Sequence, residues 1–194
     1  MTITKTCLIL GKIKDTLKLK KNILKKKWHV ICKNKRITIN DLRNVDLVIT
    51  FNYRHVLEKS ILKKLKRPAI NLHISYLPFN RGCHPNFWSF VENSIKGVTI
   101  HEIDKGVDTG PIIYQKKIAF NINKKKNDNF FKTNQILLQE IQKLFFKKIN
   151  QILNKKYIKK KQKKKGTFHY RNDLPIFMKN NWRSKIINIL KIYE

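Results

Sequence analysis

The stretch Ala69-Ile70-Asn71-Leu72-His73-Ile74-Ser75-Tyr76-Leu77-Pro78-Phe79-Asn80-Arg81-Gly82 decides how this chain is read. Its first seven residues alternate between apolar and polar, the period of a strand, so Asn71 and His73 project from one face two positions apart. Pro78, Gly82 and Pro85 then exclude regular structure and predict a shaped loop, a natural pocket wall at the end of a strand. An amide and an imidazole side by side next to such a loop can meet one substrate.

Downstream, Lys96-Gly97-Val98-Thr99-Ile100-His101-Glu102-Ile103 alternates as another strand. It runs into Asp104-Lys105-Gly106-Val107-Asp108-Thr109-Gly110-Pro111, a glycine-punctuated turn with two carboxylates. Upstream, Asp46-Leu47-Val48-Ile49-Thr50-Phe51 reads as a buried strand. Around these, the patterns predict strands over 6–10, 28–32 and 112–120 and helices over 14–26, 40–43, 56–66, 86–92 and 129–148. Strands alternating with helices predict an α/β fold: an open, mainly parallel, Rossmann-like sheet with helices on both faces. In such sheets ligands bind at the carboxyl ends of the strands, where both motif loops are expected. The length suits one domain, residues 1–154, followed by a lysine-rich connector and capping segment over 155–194. An amphipathic stretch at 182–192 predicts a basic helical tail.

One amide, one imidazole and one carboxylate suit acyl transfer to an amine. The Asn N–H donates to a developing oxyanion, the His stabilises charge or moves a proton, and the Asp holds the His or takes the amine's proton. No Ser or Cys nucleophile is needed, which favours direct transfer over a covalent acyl-enzyme.

These blocks, Asn71 to Gly82, Gly97 to His101 and Asp104 to Ile113, together resemble the formyltransferases that use 10-formyltetrahydrofolate, with a likeness spanning about residues 46–115. The resemblance implies that Asn71, His73 and Asp108 form the catalytic trio. It also implies that Asn52-Tyr53-Arg54-His55-Val56-Leu57 is the turn that holds the pterin of the formyl donor, with His55, Val56 and Leu57 in the pocket. The backbone from Asp104 to Val107 would close over the other side of the ring. Main-chain groups suit this task because they offer fixed donors and acceptors. His84, His101 and His169 are read as structural or pocket-lining, and Arg81 as either an anion ligand or a brace for its loop.

The same resemblance bears on the acceptor. Relatives acting on glycinamide ribonucleotide carry a glycine-rich phosphate loop after the first strand, whereas Gly11 here is followed by Lys-Ile-Lys-Asp. Methionyl-tRNA formyltransferases carry a sizeable C-terminal domain, for which little chain remains after Gln115. The Arg81-Gly82-x-x-Pro85-Asn86-Phe87-Trp88-Ser89-Phe90 variant looks most like enzymes acting on nucleotide-linked amino sugars, and a Gly166-Thr167-Phe168-His169 segment resembles one that folds back over the site in short formyltransferases. An amino-sugar nucleotide is therefore the expected acceptor, with tRNA as the alternative partner.

A formal charge of +32 suggests a polyanion partner. Only seven of the 44 basic residues are arginine, however, and the lysine surplus accompanies abundant Ile and Asn, which share AT-rich codons. Runs such as Lys124-Lys125-Lys126 are therefore read as solvated helix faces or connectors. The rival reading is a non-catalytic, RNA-associated protein that keeps the fold, whose binding would fall steeply with salt. Cys7, Cys32 and Cys83 form no Cys-x-x-Cys pair, which suits reduced cytoplasmic thiols and no metal. Neither a signal peptide nor a run of roughly 18–20 apolar residues is read, so no membrane partner is expected.

Overall fold

The apolar runs become strands because their aliphatic side chains alternate between two covered faces. The computed structural model describes residues 5–122, 128–163 and 165–193. The expectations placed on residues 1–4 and on the lysine run at 124–126 lie outside these. Strands β1 (Thr6–Leu10), β2 (His29–Lys33), β3 (Leu47–Phe51) and β4 (Ile70–His73) are parallel. A two-residue β5 (Arg81–Gly82) lies in the motif loop. β6 (Gly97–Glu102) and β7 (Ile112–Lys117) complete a six-stranded sheet in the order β2-β1-β3-β4-β6-β7.

Helices cover both faces. On one, α1 (Ile13–Leu24) and α4 (Phe130–Leu153) bring Leu19, Ile23, Leu137, Ile141 and Phe145 onto Ile9, Ile49, Ile70, Leu72 and Ile100. On the other, Ile61 of α2 (Lys59–Lys64) and Ile37 and Val45, which flank a 3-10 turn at Ile39–Leu42, share a buried cluster with Leu8, Leu10 and Val48. α4 runs past the expected 148 because Ile149, Ile152 and Leu153 continue its buried stripe. Its end is also capped from afar: the Arg67 guanidinium donates to the Ile152 and Leu153 carbonyls at 2.8 and 3.0 Å, satisfying acceptors a helix end leaves open. α2 is shorter than expected, since the chain from 52 to 58 stays irregular.

Two expectations are corrected. β6 is antiparallel to β4, with Glu102 opposite Ile70 and Thr99 opposite His73, so the carboxyl end of β6 lies beside the amino end of β4. The Asp108 loop does not start at the carboxyl edge of the sheet; it has to travel back over the sheet face. The tail is not a helix either. Among the described residues after 155 it contains β8 (Phe168–His169), two 3-10 turns and, as its one helix, the five-residue α5 (Ile186–Leu190). Its apolar residues Leu174, Met178, Ile186 and Ile189 are spaced to meet Phe87 of α3 (Pro85–Val91) and Phe130 rather than to form one stripe. β8 pairs with β5, joining the C-terminal segment to the motif loop.

Candidate active site

Alternation along β3, β4 and β6 sends Ile49, Ile70, Leu72 and Ile100 toward α4 and sends Thr50, Asn71, His73 and His101 to the opposite face. Register aligns Thr50 with Asn71 and Asn71 with His101, so three polar side chains form one row across the sheet. Thr50 Oγ1 donates to Asn71 Oδ1 at 2.7 Å, which turns the amide nitrogen toward His101 and Asp108. Asn71 Nδ2 lies 3.1 Å from His101 Nε2 and 3.0 Å from Asp108 Oδ1. The Glu102 carbonyl, 2.7 Å from His101 Nδ1, can only accept, so Nδ1 carries a proton, while Nε2 faces both the Asn71 amide and Asp108 Oδ1, the latter at 3.4 Å.

His73 stands one pleat further along. Its Nδ1 is 3.6 Å from Asp108 Oδ2, and its Nε2 is 3.3 Å from the Asn80 carbonyl. Asp108 adopts a left-handed backbone, φ 55°, and its Oδ2 accepts the Gly82 N–H at 2.9 Å. Only glycine suits position 82: φ is +84°, and a Cβ there would lie 2.3 Å from the His169 carbonyl oxygen. The loops carrying Gly82 and Asp108 thus close on each other over the Asn71–His73 pair.

Burial pushes the His73 imidazole below its ordinary 6.5, with Asp108 opposing that shift and His101 adding to it. Burial alone would raise Asp108, but the neighbouring imidazoles of His73 and His101 and the Gly82 N–H hold its carboxyl far below the usual 3.8. The site at neutral pH is therefore a neutral imidazole beside a carboxylate. The unfolded chain takes up a proton on His73 near pH 6.5 while the folded chain resists it, so stability is lost as pH falls through that value, and Asp108 adds a further loss below 3.8. We expect the Tm to drop between pH 7 and pH 5, and His73→Gln to flatten part of that drop in calorimetry. His84, depressed by burial and by Arg171, supplies a remainder of the same sign. An equally steep drop in the variant would contradict the placement of His73.

An open cavity of about 900 Å³ lies over this floor. Of the residues expected to hold the donor, His55, Val56, Leu57 and Val107 line it. Among the described residues, no backbone group from 53 to 57 is hydrogen-bonded within the protein, so this wall offers free N–H and C=O groups to a flat polar ring. Asp104 does not line the cavity. Its exposed carboxylate accepts from the Gly106 N–H at 3.0 Å and the Thr109 hydroxyl at 2.6 Å, which shapes the turn instead.

Sequence reasoning missed Thr50 and left His101 outside the trio. It also left Arg81 between two roles, and the structure shows the brace: its guanidinium donates to Gln162 Oε1. The far wall comes from the C-terminal segment, through Arg171, Asn172, Leu174, Lys179 and Trp182. Trp182 stacks on His84 with ring centroids 5.6 Å apart. His169 sits deeper in that segment, on Trp88 and 2.7 Å from Glu92.

A family model described as formyl transferase matches residues 18–140. Superposition on the formyltransferase PseJ from Anoxybacillus kamchatkensis, solved in complex with UDP-4,6-dideoxy-4-formamido-L-AltNAc and tetrahydrofolate, gives a TM-score of 0.87 at 34% identity, covering 97% of this chain and 100% of that one. A methionyl-tRNA formyltransferase from Thermodesulfovibrio yellowstonii is 44% identical over 79 residues, 40% of this chain and 26% of its own. A dTDP-4-amino-4,6-dideoxyglucose formyltransferase from Mycobacterium bovis is 36% identical over 74 residues, 38% of this chain and 31% of its own. The chain thus spans about a third or less of these two curated relatives.

Proposed function

We propose, for a chain that belongs to the formyl transferase family, that it moves the formyl group of 10-formyltetrahydrofolate onto the amine of a nucleotide-linked amino sugar. The observation that carries formyl transfer is the meeting of Asn71, His73 and Asp108 at 3.0 and 3.6 Å on the floor of a cavity. The amine nitrogen attacks the formyl carbon. As the C=O bond becomes a C–O⁻, the Asn71 N–H turns from its present acceptor to the oxyanion. Neutral His73 accepts the proton the amine loses, Asp108 stabilises the resulting imidazolium, and the same proton passes to the departing folate nitrogen as its bond to carbon breaks. Atoms and charge balance without a covalent enzyme intermediate.

The acceptor class rests on the charge and the rings that line the cavity. Lys12, Arg54, Arg171 and Lys179 line the cavity, and the sole carboxylate among its lining residues is Asp108. That charge suits a diphosphate, and the stacked His84–Trp182 pair offers a flat surface for a base or sugar. Likeness to PseJ takes in 97% of this chain and all of PseJ, these walls included, whereas sequence matches to methionyl-tRNA formyltransferases cover 40–70% of this chain and 26–43% of the relatives' own length. With this reading goes a cytoplasmic location, consistent with three free thiols. Among the described residues no helix is long and apolar enough to cross a membrane.

The test is release of tetrahydrofolate from 10-formyltetrahydrofolate with UDP- and dTDP-linked 4-amino sugars, compared with methionyl-tRNA. Turnover with an amino-sugar nucleotide is expected. Turnover with methionyl-tRNA alone would replace the acceptor, and salt-sensitive RNA binding with no turnover on any amine would replace the reading.

A further inference from the structure

We infer that Gln162, a residue of the lysine-rich connector, is a positioning residue for Asp108. The inference rests on Asp108 acting in formyl transfer as proposed above. One amide side chain joins the two motif loops: Gln162 Nε2 donates to the carbonyls of Asp108 and Gly110 at 2.9 and 2.8 Å. Its Oε1 accepts from Arg81 Nη2 and Nε at 2.6 and 3.2 Å. Every hydrogen-bonding position on the donor side of that amide is spent on the turn that carries Asp108, and the acceptor side on the residue preceding Gly82.

The need for such a tie follows from the turn itself. Asp108 holds a left-handed backbone at φ 55°, a conformation an L-residue leaves when nothing holds it. Its carboxylate has to reach Asn71, His73 and the Gly82 N–H together. The loop from 103 to 111 also starts at the wrong end of the sheet for this task, since β6 is antiparallel to β4. The connector supplies the missing support at both roots and at the apex. Tyr157 and Lys159 hold the buried Glu102 at 3.0 and 2.9 Å, and Lys160 exchanges backbone hydrogen bonds with Ile112. Gln162 follows, over Asp108 and Gly110. The direct carboxylate bond to Gly82 and the Arg81–Gln162 bridge close a ring, so losing Gln162 frees the Asp108 backbone while leaving the carboxylate chemistry intact.

A misplacement of the order of 1 Å costs about a hundredfold in rate. Gln162→Ala is therefore expected to lower kcat about tenfold to a hundredfold, with the KM values for donor and acceptor within about twofold of wild type. Gln162→Glu keeps the bulk and the Arg81 contact but cannot donate to the two carbonyls, so a folded protein with the same loss is expected. In an Asp108→Asn background, Gln162→Ala is expected to add nothing, because the group it positions is gone. An equal loss in both backgrounds, or wild-type kcat in both Gln162 variants, overturns the inference. A second readout needs no turnover: the pH titration of the His73 ring followed by NMR. Both Gln162 variants should shift it in the same direction as Asp108→Asn, and an unmoved titration overturns the inference even in a protein that transfers formyl to no amine tried. Loss of turnover in wild type with a shifted His73 titration would sink the functional reading instead.

Discussion

Replacing Asn71 by Ala is expected to slow formyl transfer about a hundredfold or more while donor affinity stays nearly unchanged. Loss of one oxyanion donor costs on the order of 100- to 1,000-fold, about 2.7–4 kcal/mol, and is felt in kcat because the full charge exists only in the transition state. The structure adds a reason for the size. Thr50 Oγ1, 2.7 Å from Asn71 Oδ1, fixes which end of the amide carries the N–H groups, so the side chain need not flip during reaction and an N–H has only to change acceptor. Those N–H groups are now directed at His101 Nε2 and Asp108 Oδ1, at 3.1 and 3.0 Å. The oxyanion has to compete with one of them, and Asp108 is released from it as the charge on oxygen grows. Steady-state kinetics with varied donor would measure this. A raised donor KM with wild-type kcat would show that Asn71 binds the folate rather than the developing charge.

Much of this site was readable before any coordinates. Asn71 and His73 share a face because a strand repeats every two residues, and the glycines and prolines on either side announce loops. Asp108 was not readable from periodicity, since Asp104 and Asp108 sit in one turn and only the family resemblance chose between them. The geometry now separates them physically: Asp104 spends its oxygens on the Gly106 N–H and the Thr109 hydroxyl, while Asp108 turns inward. Thr50 left a faint signal, a lone hydroxyl in the run Leu47–Phe51 that is otherwise apolar. Its meaning depended on pairing register, which no local pattern encodes.

The direction of β6 was hidden for the same reason. Gly97–Glu102 is buried throughout, and a strand covered on both faces reads alike in either orientation. His101 could be assigned to the row only once β6 was known to run against β4 and place it opposite Asn71. Gln162 left no signal at all: among so many lysines, the connector looked like solvated surface, and one amide is too common to stand out. Pro175, Asn180 and Asn181 favour turns and keep the chain ahead of the amphipathic stretch irregular, and within that stretch only Ile186–Leu190 is helical.

Exchanging Asp108 for Asn, which keeps the shape and removes the charge, is expected to cut kcat about a thousandfold, inside the range of 100- to 10,000-fold for loss of positioned proton-transfer chemistry. Two losses combine. An imidazolium formed at His73 during transfer has no carboxylate 3.6 Å from Nδ1 to stabilise it. The new amide also cannot satisfy its neighbours, because Oδ1 and Oδ2 both accept now, from Asn71 Nδ2 and from the Gly82 N–H. Whichever position the NH₂ takes, one donor faces another. The residual activity should carry its own signature. Asp108 draws the His73 pKa upward against the effect of burial, so removing the charge lets it fall further. The acid limb of the kcat profile, set by the need for neutral His73, should then move to lower pH in the variant even as the plateau falls. A profile with a lowered plateau and an unmoved acid limb would assign the proton to another group, and a plateau at the wild-type level would remove Asp108 from the chemistry.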